Sequence, residues 1–401
     1  MDRKKISRRN FLKTAGVGGI GAVLGPKMAR AEREDANQHA QMPTRPFGKT
    51  GIEVPILSLG GMFDIPNNQL MLKQAIRLGV TYWDTAHVYG NGASEEGIGR
   101  FFKKYPEERQ KIFLVTKSPD RDPDGMTGHL NLSLKRMNTD TIDLFFMHAF
   151  RNTRPLTNEV RAWAEKQKAA GKIRLFGFST HRNMEKCLSS AATFDWIDGI
   201  MMTYNYRLMH KRKMKQAVDA CVDMGIGLTA MKTQGGGQGI FSSDEEPALK
   251  ERFLEKGFTQ EQAKLKAVWE NPRISAICSQ MPNMTILMAN IAAAMDKTRL
   301  SAADLEQMAG YADATSCSYC AGCSDICENA MAGNVPIADI MRYLMYAESY
   351  GDYERAAARF RNLPESVRRR LNHIDYSEAE HRCPQEIAIG RLMAQAKQRL
   401  A

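Results

Sequence analysis

The chain has 401 residues, of which 43% are apolar and 25% charged. That balance belongs to an ordinary globular protein with a sizeable core, and it excludes wholesale disorder. Formal net charge is +11, but residues 1–31 hold eight of the 56 Lys/Arg and one of the 45 Asp/Glu, so the remainder stands at 48 against 44, a net of +4. No nucleic-acid partner is indicated. His210-Lys211-Arg212-Lys213 and Arg368-Arg369-Arg370 read as solvated helix faces.

The N-terminus is an address. Ser7-Arg8-Arg9-Asn10-Phe11-Leu12-Lys13 reads as a twin-arginine signal, followed by a weakly apolar Thr14–Leu24 and an A-x-A site, Ala29-Arg30-Ala31. Residues 1–31 are therefore expected to be a signal peptide and 32–44 a linker. The twin-arginine route moves folded proteins, often ones already loaded with a cofactor, so a periplasmic protein with a cofactor is expected. No other stretch approaches ~18 apolar residues, and no transmembrane helix is expected in the mature chain.

From residue 45 to 300 short β-branched runs alternate with amphipathic stretches. The strand candidates are Pro55–Leu59, Thr81–Trp83, Ile112–Thr116, Ile142–Met147, Ile173–Phe178, Ile197–Met201, Ile226–Ala230 and Ile274–Cys278. Helical patterns lie between them, among them Asn68–Leu78, Glu95–Lys104, Asn158–Ala170 and Lys213–Met224. Eight strands, each followed by a helix, predict an α/β fold of the (β/α)8 barrel type. An open doubly wound sheet would want a Gly-x-Gly-x-x-Gly turn after its first strand, and none is there. Turn chemistry in Arg45–Gly51 predicts a hairpin plugging the barrel bottom.

Active sites of such barrels sit at the C-terminal strand ends. Asp84 closes the second candidate strand, with Tyr89 in the loop beyond it. Lys117 closes the third and His148 the fourth. Three neighbouring strands thus aim a carboxylate, a phenol, an ammonium and an imidazole at one space. The ammonium is expected to lower the pKa of the phenol, the carboxylate to hold the ammonium, and the imidazole to orient a carbonyl.

These residues carry a resemblance. Asp84-Thr85-Ala86-x-x-Tyr89-Gly90, Ser94-Glu95, Gly99, Lys117, Ile142-Asp143-Leu144 leading to His148, and Gly171-Lys172-Ile173-Arg174 leading to Gly177-Phe178-Ser179 resemble the aldo/keto reductase signature. So does Gly48-Lys49-Thr50-Gly51 with Val54-Pro55. The resemblance implies an NAD(P)H-dependent enzyme interconverting carbonyls and alcohols, with Tyr89 as general acid/base and Asp84, Lys117 and His148 beside it. Candidate cofactor contacts are Ser179, Asn205, Lys232, Gly235, Asn283 and Asn290, with the Gly235–Gly237 loop open to a pyrophosphate. The pattern departs from the family at Thr180, where asparagine is usual, and at Met201, where glutamine is usual. NADP and NAD both stay open.

Five of the eight cysteines follow residue 316. Cys317-x2-Cys320-x2-Cys323-x3-Cys327 is the bacterial ferredoxin spacing for one 4Fe–4S cluster. Zinc and disulfides are the competing readings. Two-cluster ferredoxins complete the first cluster with a distant Cys-Pro, here Cys383-Pro384. The expected ligands are Cys317, Cys320, Cys323 and Cys383, with Cys327 as the alternative fourth. The tail, 301–401, resembles the ferredoxin-like extension of one aldo/keto reductase branch, and Ile337–Phe360 reads as helical. Expected partners are a small-molecule carbonyl or alcohol and a redox partner that recharges the cluster. The alternative is a non-catalytic barrel that carries a cluster for electron transfer or binding.

Overall fold

The computed structural model describes residues 41–237, 245–331 and 335–401. The twin-arginine segment, its cleavage site and most of the expected linker lie outside the described residues. Strands β1 (Thr44–Pro46) and β2 (Glu53–Pro55) form the expected hairpin. Phe47, fully buried between them, presses on Gly199 and Gly227 at the starts of two barrel strands. A Cβ on Gly227 would stand 2.6 Å from the Phe47 ring, so these glycines admit the plug.

Eight parallel strands then close a barrel. They are β3 (Leu57–Gly60), β4 (Tyr82–Asp84), β5 (Phe113–Ser118), β6 (Ile142–Phe150), β7 (Ile173–Thr180), β8 (Gly199–Thr203), β9 (Gly227–Met231) and β10 (Ala276–Gln280), with β10 pairing back to β3. Every predicted strand is present, displaced by at most three residues, because each carries a largely buried apolar run. Phe47, Val54, Tyr82, Phe113, Val115, Leu144, Phe146, Leu175, Met201 and Ala276 fill the interior. Helices Gln69–Arg77, Ala93–Lys104, Asn158–Ala169 and Arg212–Asp223 stand within two residues of their predicted places.

A capping box of Ser301 and Asp304 opens the tail with helix Ala302–Ala314. Ile337–Phe360, expected as one helical stretch, is two helices, Ile337–Glu348 and Tyr353–Arg361. The break falls at Gly351, whose φ of +68° no right-handed helix contains. These helices share a second core with Ile389–Leu400, built on Ile340, Leu344, Phe360, Leu392 and Met393. Residues Met42–Ala401 form one compact unit, so barrel and tail fold as neighbours. Among the described residues no helix is long and apolar enough to cross a membrane.

Candidate active site

The barrel brings the four predicted residues together. Lys117 is fully buried and donates to Asp84 Oδ1 at 2.5 Å, to the Thr85 carbonyl at 2.6 Å and to the Tyr89 hydroxyl at 3.5 Å. The Tyr89 and His148 rings meet edge to face, their centroids 5.8 Å apart. His148 lies in a bulge, since the β6–β7 register shifts between Met147 and Phe150. Ala149 there has φ +58°, and its N–H donates to Ser179 Oγ at 3.0 Å. Such a bulge re-aims a side chain at a barrel rim.

Electrostatics correct one expectation. Lys117 does not lower the Tyr89 pKa; burial, with Asp84 adding, holds that phenol well above its ordinary value. The ammonium is spent on Asp84, one ångström nearer than the phenol, and the Asp84 carboxylate itself opposes the phenolate. Burial also raises the Asp84 carboxyl, against the pull of Lys117. His148 is driven well below the usual imidazole range by burial and by Lys117, Arg121, Arg359 and Arg342. Both Tyr89 and His148 are therefore neutral donors at neutral pH.

The candidate cofactor residues meet the tail. Asn205, fully buried, donates to the Lys232 carbonyl and to the Tyr319 hydroxyl, each at 3.0 Å. Lys232 Nζ donates to the Tyr346 hydroxyl at 3.1 Å. The glycine loop that the sequence offered to a pyrophosphate packs against the tail. A Cβ on Gly237 would stand 2.4 Å from the Ser318 carbonyl, and one on Gly236 2.7 Å from Ser349. Gly235 has φ +59° and accepts from Arg207. Asn283 caps helix Met284–Met295, and Asn290 donates to Ser279 Oγ at 3.0 Å. Of the two departures, Thr180 is buried against the carbonyls of Phe150 and Arg182, and Met201 packs inside the barrel.

The tail therefore forms a wall of the mouth. Gly322 accepts from the Asn183 N–H, and Asp339 takes Arg151 at 2.9 Å, Arg342 at 2.5 Å and Arg182. Arg342, Tyr346 and Arg355 are not among the site residues expected from the sequence. Arg342 and Tyr346 stand four apart on one helix, which was the available signal, but nothing local said that this helix lies over the barrel.

The cysteines divide differently from expectation. Cys320, Cys323, Cys327 and Cys383 line one small apolar cavity of about 20 Å³ with Ile326, Ile337 and Met341. Cys317, placed in both expected sets, is exposed and outside it. Among the described residues no three His, Cys, Asp or Glu side chains are arranged to hold a single metal ion. Cys187, Cys221 and Cys278 are free thiols, the first two buried in the core.

A closed parallel barrel with this tetrad at its mouth defines a class of barrel oxidoreductase. The aldo/keto reductase family model matches residues 58–300, and this chain belongs to that family. A TAT (twin-arginine translocation) pathway signal sequence matches residues 5–25 and indicates export by that route. The chain is 31% identical over 217 residues to the aldo-keto reductase yakc [NADP(+)] of Schizosaccharomyces pombe, covering 49% of this chain and 62% of that one. It is 28% identical over 216 residues to the uncharacterized oxidoreductase YrpG of Bacillus subtilis, covering 48% and 66%. The chain thus spans about two thirds or less of these relatives' own lengths. Among solved structures, the thermostable aldo-keto reductase Tm1743, in complex with the inhibitor epalrestat, superposes with a TM-score of 0.57 at 25% identity, covering 67% of this chain and 99% of that one.

Proposed function

We propose that this protein, exported to the periplasm, interconverts a carbonyl and an alcohol, with Tyr89 as general acid/base. The observation that carries this reading is the convergence of Tyr89, Lys117, Asp84 and His148 at one barrel mouth. The substrate oxygen lies between the Tyr89 hydroxyl and the neutral His148 ring, both able to donate to it. Tyr89 gives its proton to that oxygen in reduction and takes it back in oxidation. The phenolate left behind faces the Lys117 ammonium, which Asp84 and the Thr85 carbonyl fix in place. The donor set at the ends of β7, β8 and β10, Ser179, Asn205, Asn283 and Asn290, suits the polar groups of a nicotinamide nucleotide, NADP or NAD, which supplies or takes the hydride when bound. Replacing Tyr89 by Phe is expected to lower carbonyl turnover by about 10²–10⁴-fold while the fold is kept. Unchanged turnover would favour the second reading, a barrel that serves binding or electron transfer. That reading draws support from the tail residues covering Asn205 and the glycine loop.

The tail, 301–401, is proposed to carry one 4Fe–4S cluster that exchanges electrons with a redox partner or staples the helices together. Ferredoxin spacing and four thiols around one apolar cavity support it. The cavity favours Cys320, Cys323, Cys327 and Cys383 as ligands over sets containing Cys317. Iron and acid-labile sulfide measured in Cys317→Ser and Cys327→Ser proteins decide between them: iron retained in the first and lost in the second is expected.

A further inference from the structure

A second phenol–ammonium pair occupies the mouth. Lys232 follows β9 with φ +56°, a left-handed backbone that a non-glycine residue keeps where the surroundings enforce it. Its Nζ lies 3.1 Å from the Tyr346 hydroxyl and 4.7 Å from that ring's centroid. Tyr346 stands one helical turn beyond Arg342, and Arg355, from the next helix, lies 6.0 Å from the Tyr346 ring. Nearby carboxylates are already committed. Asp339 serves Arg151, Arg182 and Arg342, while Asp352 pairs with Arg355 at 2.7 Å. The charged groups acting most strongly on Lys232 are Tyr346, Arg342 and Arg355, none of them a carboxylate. His148 sits among Lys117, Arg121, Arg359 and Arg342, and His181 among Lys232, Arg342 and Arg182. Arg342 and Arg355 keep their own acids, but Arg151, Arg182, Arg342, Arg355 and Lys232 face only Asp339, Asp352 and Glu328, and an anion relieves that excess of cations.

We propose that Lys232 and Arg342, with Arg355 behind them, recognise a carboxylate on the substrate, which is a short oxo- or hydroxy-acid. The inference rests on the reading of Tyr89 as acid/base. Tyr346 and Arg355 both act electrostatically on Tyr89, so the anchor and the reacting oxygen belong to one mouth. The carboxylate accepts from the ammonium and the guanidinium, and the oxo or hydroxyl oxygen reaches Tyr89 and His148. A nucleotide's phosphates offer related anionic chemistry, which the experiment separates.

Calorimetry on the full chain compares oxalate, its neutral diamide oxamide, and inorganic pyrophosphate. Oxalate is expected to bind, more weakly as salt is raised, and oxamide not to bind. Lys232→Met and Arg342→Met each weaken oxalate by about tenfold or more, and Lys232→Arg restores it. Asp339 keeps Arg151 and Arg182 in the Arg342 variant, so that variant should fold. Equal affinity for oxalate and oxamide, or undiminished oxalate binding in Lys232→Met, would overturn the site. Pyrophosphate binding that depends on Lys232, without oxalate binding, assigns the cations to a nucleotide and overturns it too. Oxalate binding that survives Tyr89→Phe, in a protein whose turnover that change leaves intact, upholds the anion site while removing the acid/base reading.

Discussion

Two lysines at the barrel mouth each touch a tyrosine, and the two phenols respond in opposite directions. Lys117 lies 3.5 Å from Tyr89 but 2.5 Å from Asp84, and burial carries that phenol well above its ordinary pKa. Lys232 lies 3.1 Å from Tyr346 with no carboxylate on it, and Arg342 and Arg355 add to its field. Tyr346 is brought down to about 8, even though burial pushes the other way. A lysine–tyrosine contact therefore sets no direction by itself. At Tyr89 the buried carboxylate beside the lysine opposes the phenolate, whereas at Tyr346 only cations act against burial.

The largest expected effect breaks the first pair. Lys117→Met leaves the Asp84 carboxylate buried without its partner, which should cost about 3–5 kcal/mol in denaturant unfolding along with activity. Gly237→Ala pushes a methyl into the Ser318 carbonyl and should cost about 1–3 kcal/mol, read as earlier unfolding or proteolysis of the tail. Asp84→Asn sharpens the comparison. With its carboxylate gone, Lys117 should act on Tyr89 as Lys232 acts on Tyr346, and the tyrosinate absorbance of Tyr89 should appear at lower pH.

Titration of the second pair gives a pH window. Native Tyr346 releases its proton near pH 8, whereas an unfolded tyrosine does so near 10. Between those values the unfolded chain binds more protons, so stability rises with pH. The gain is complete above about 10 and is lost as pH falls through about 8. It should vanish, together with the low-pH tyrosinate absorbance, in Tyr346→Phe. The smallest effect concerns His148. With its pKa displaced well below the usual range, the activity profile should show no inflection at the ordinary imidazole pKa, and an inflection there would mean that His148 is more hydrated than its neighbours imply.

Much of the barrel was legible because buried parallel strands are continuous apolar runs, and the polar residue ending each run points into the mouth. Asp84, Lys117 and His148 follow from that rule alone, and Tyr89 from the loop behind Asp84. The Gly235–Gly237 loop was less legible, because glycine reports close approach without naming what approaches. The cysteine spacing was equally silent on which four thiols share a cavity. Cys327 and Cys383 meet there through a helix and a turn separated by 56 residues of chain.

Sequence by itself determined the twin-arginine signal, the strand–helix alternation, the four residues at the mouth and the presence of a cysteine-rich tail. Each is written in neighbouring residues or in a fixed period. Only the tertiary structure decided that the tail lies over the barrel, that Arg342, Tyr346 and Arg355 join Lys232, and that Tyr89 is the harder phenol to ionise. Those outcomes depend on burial and on summed charge across segments more than 100 residues apart, and no local pattern encodes either.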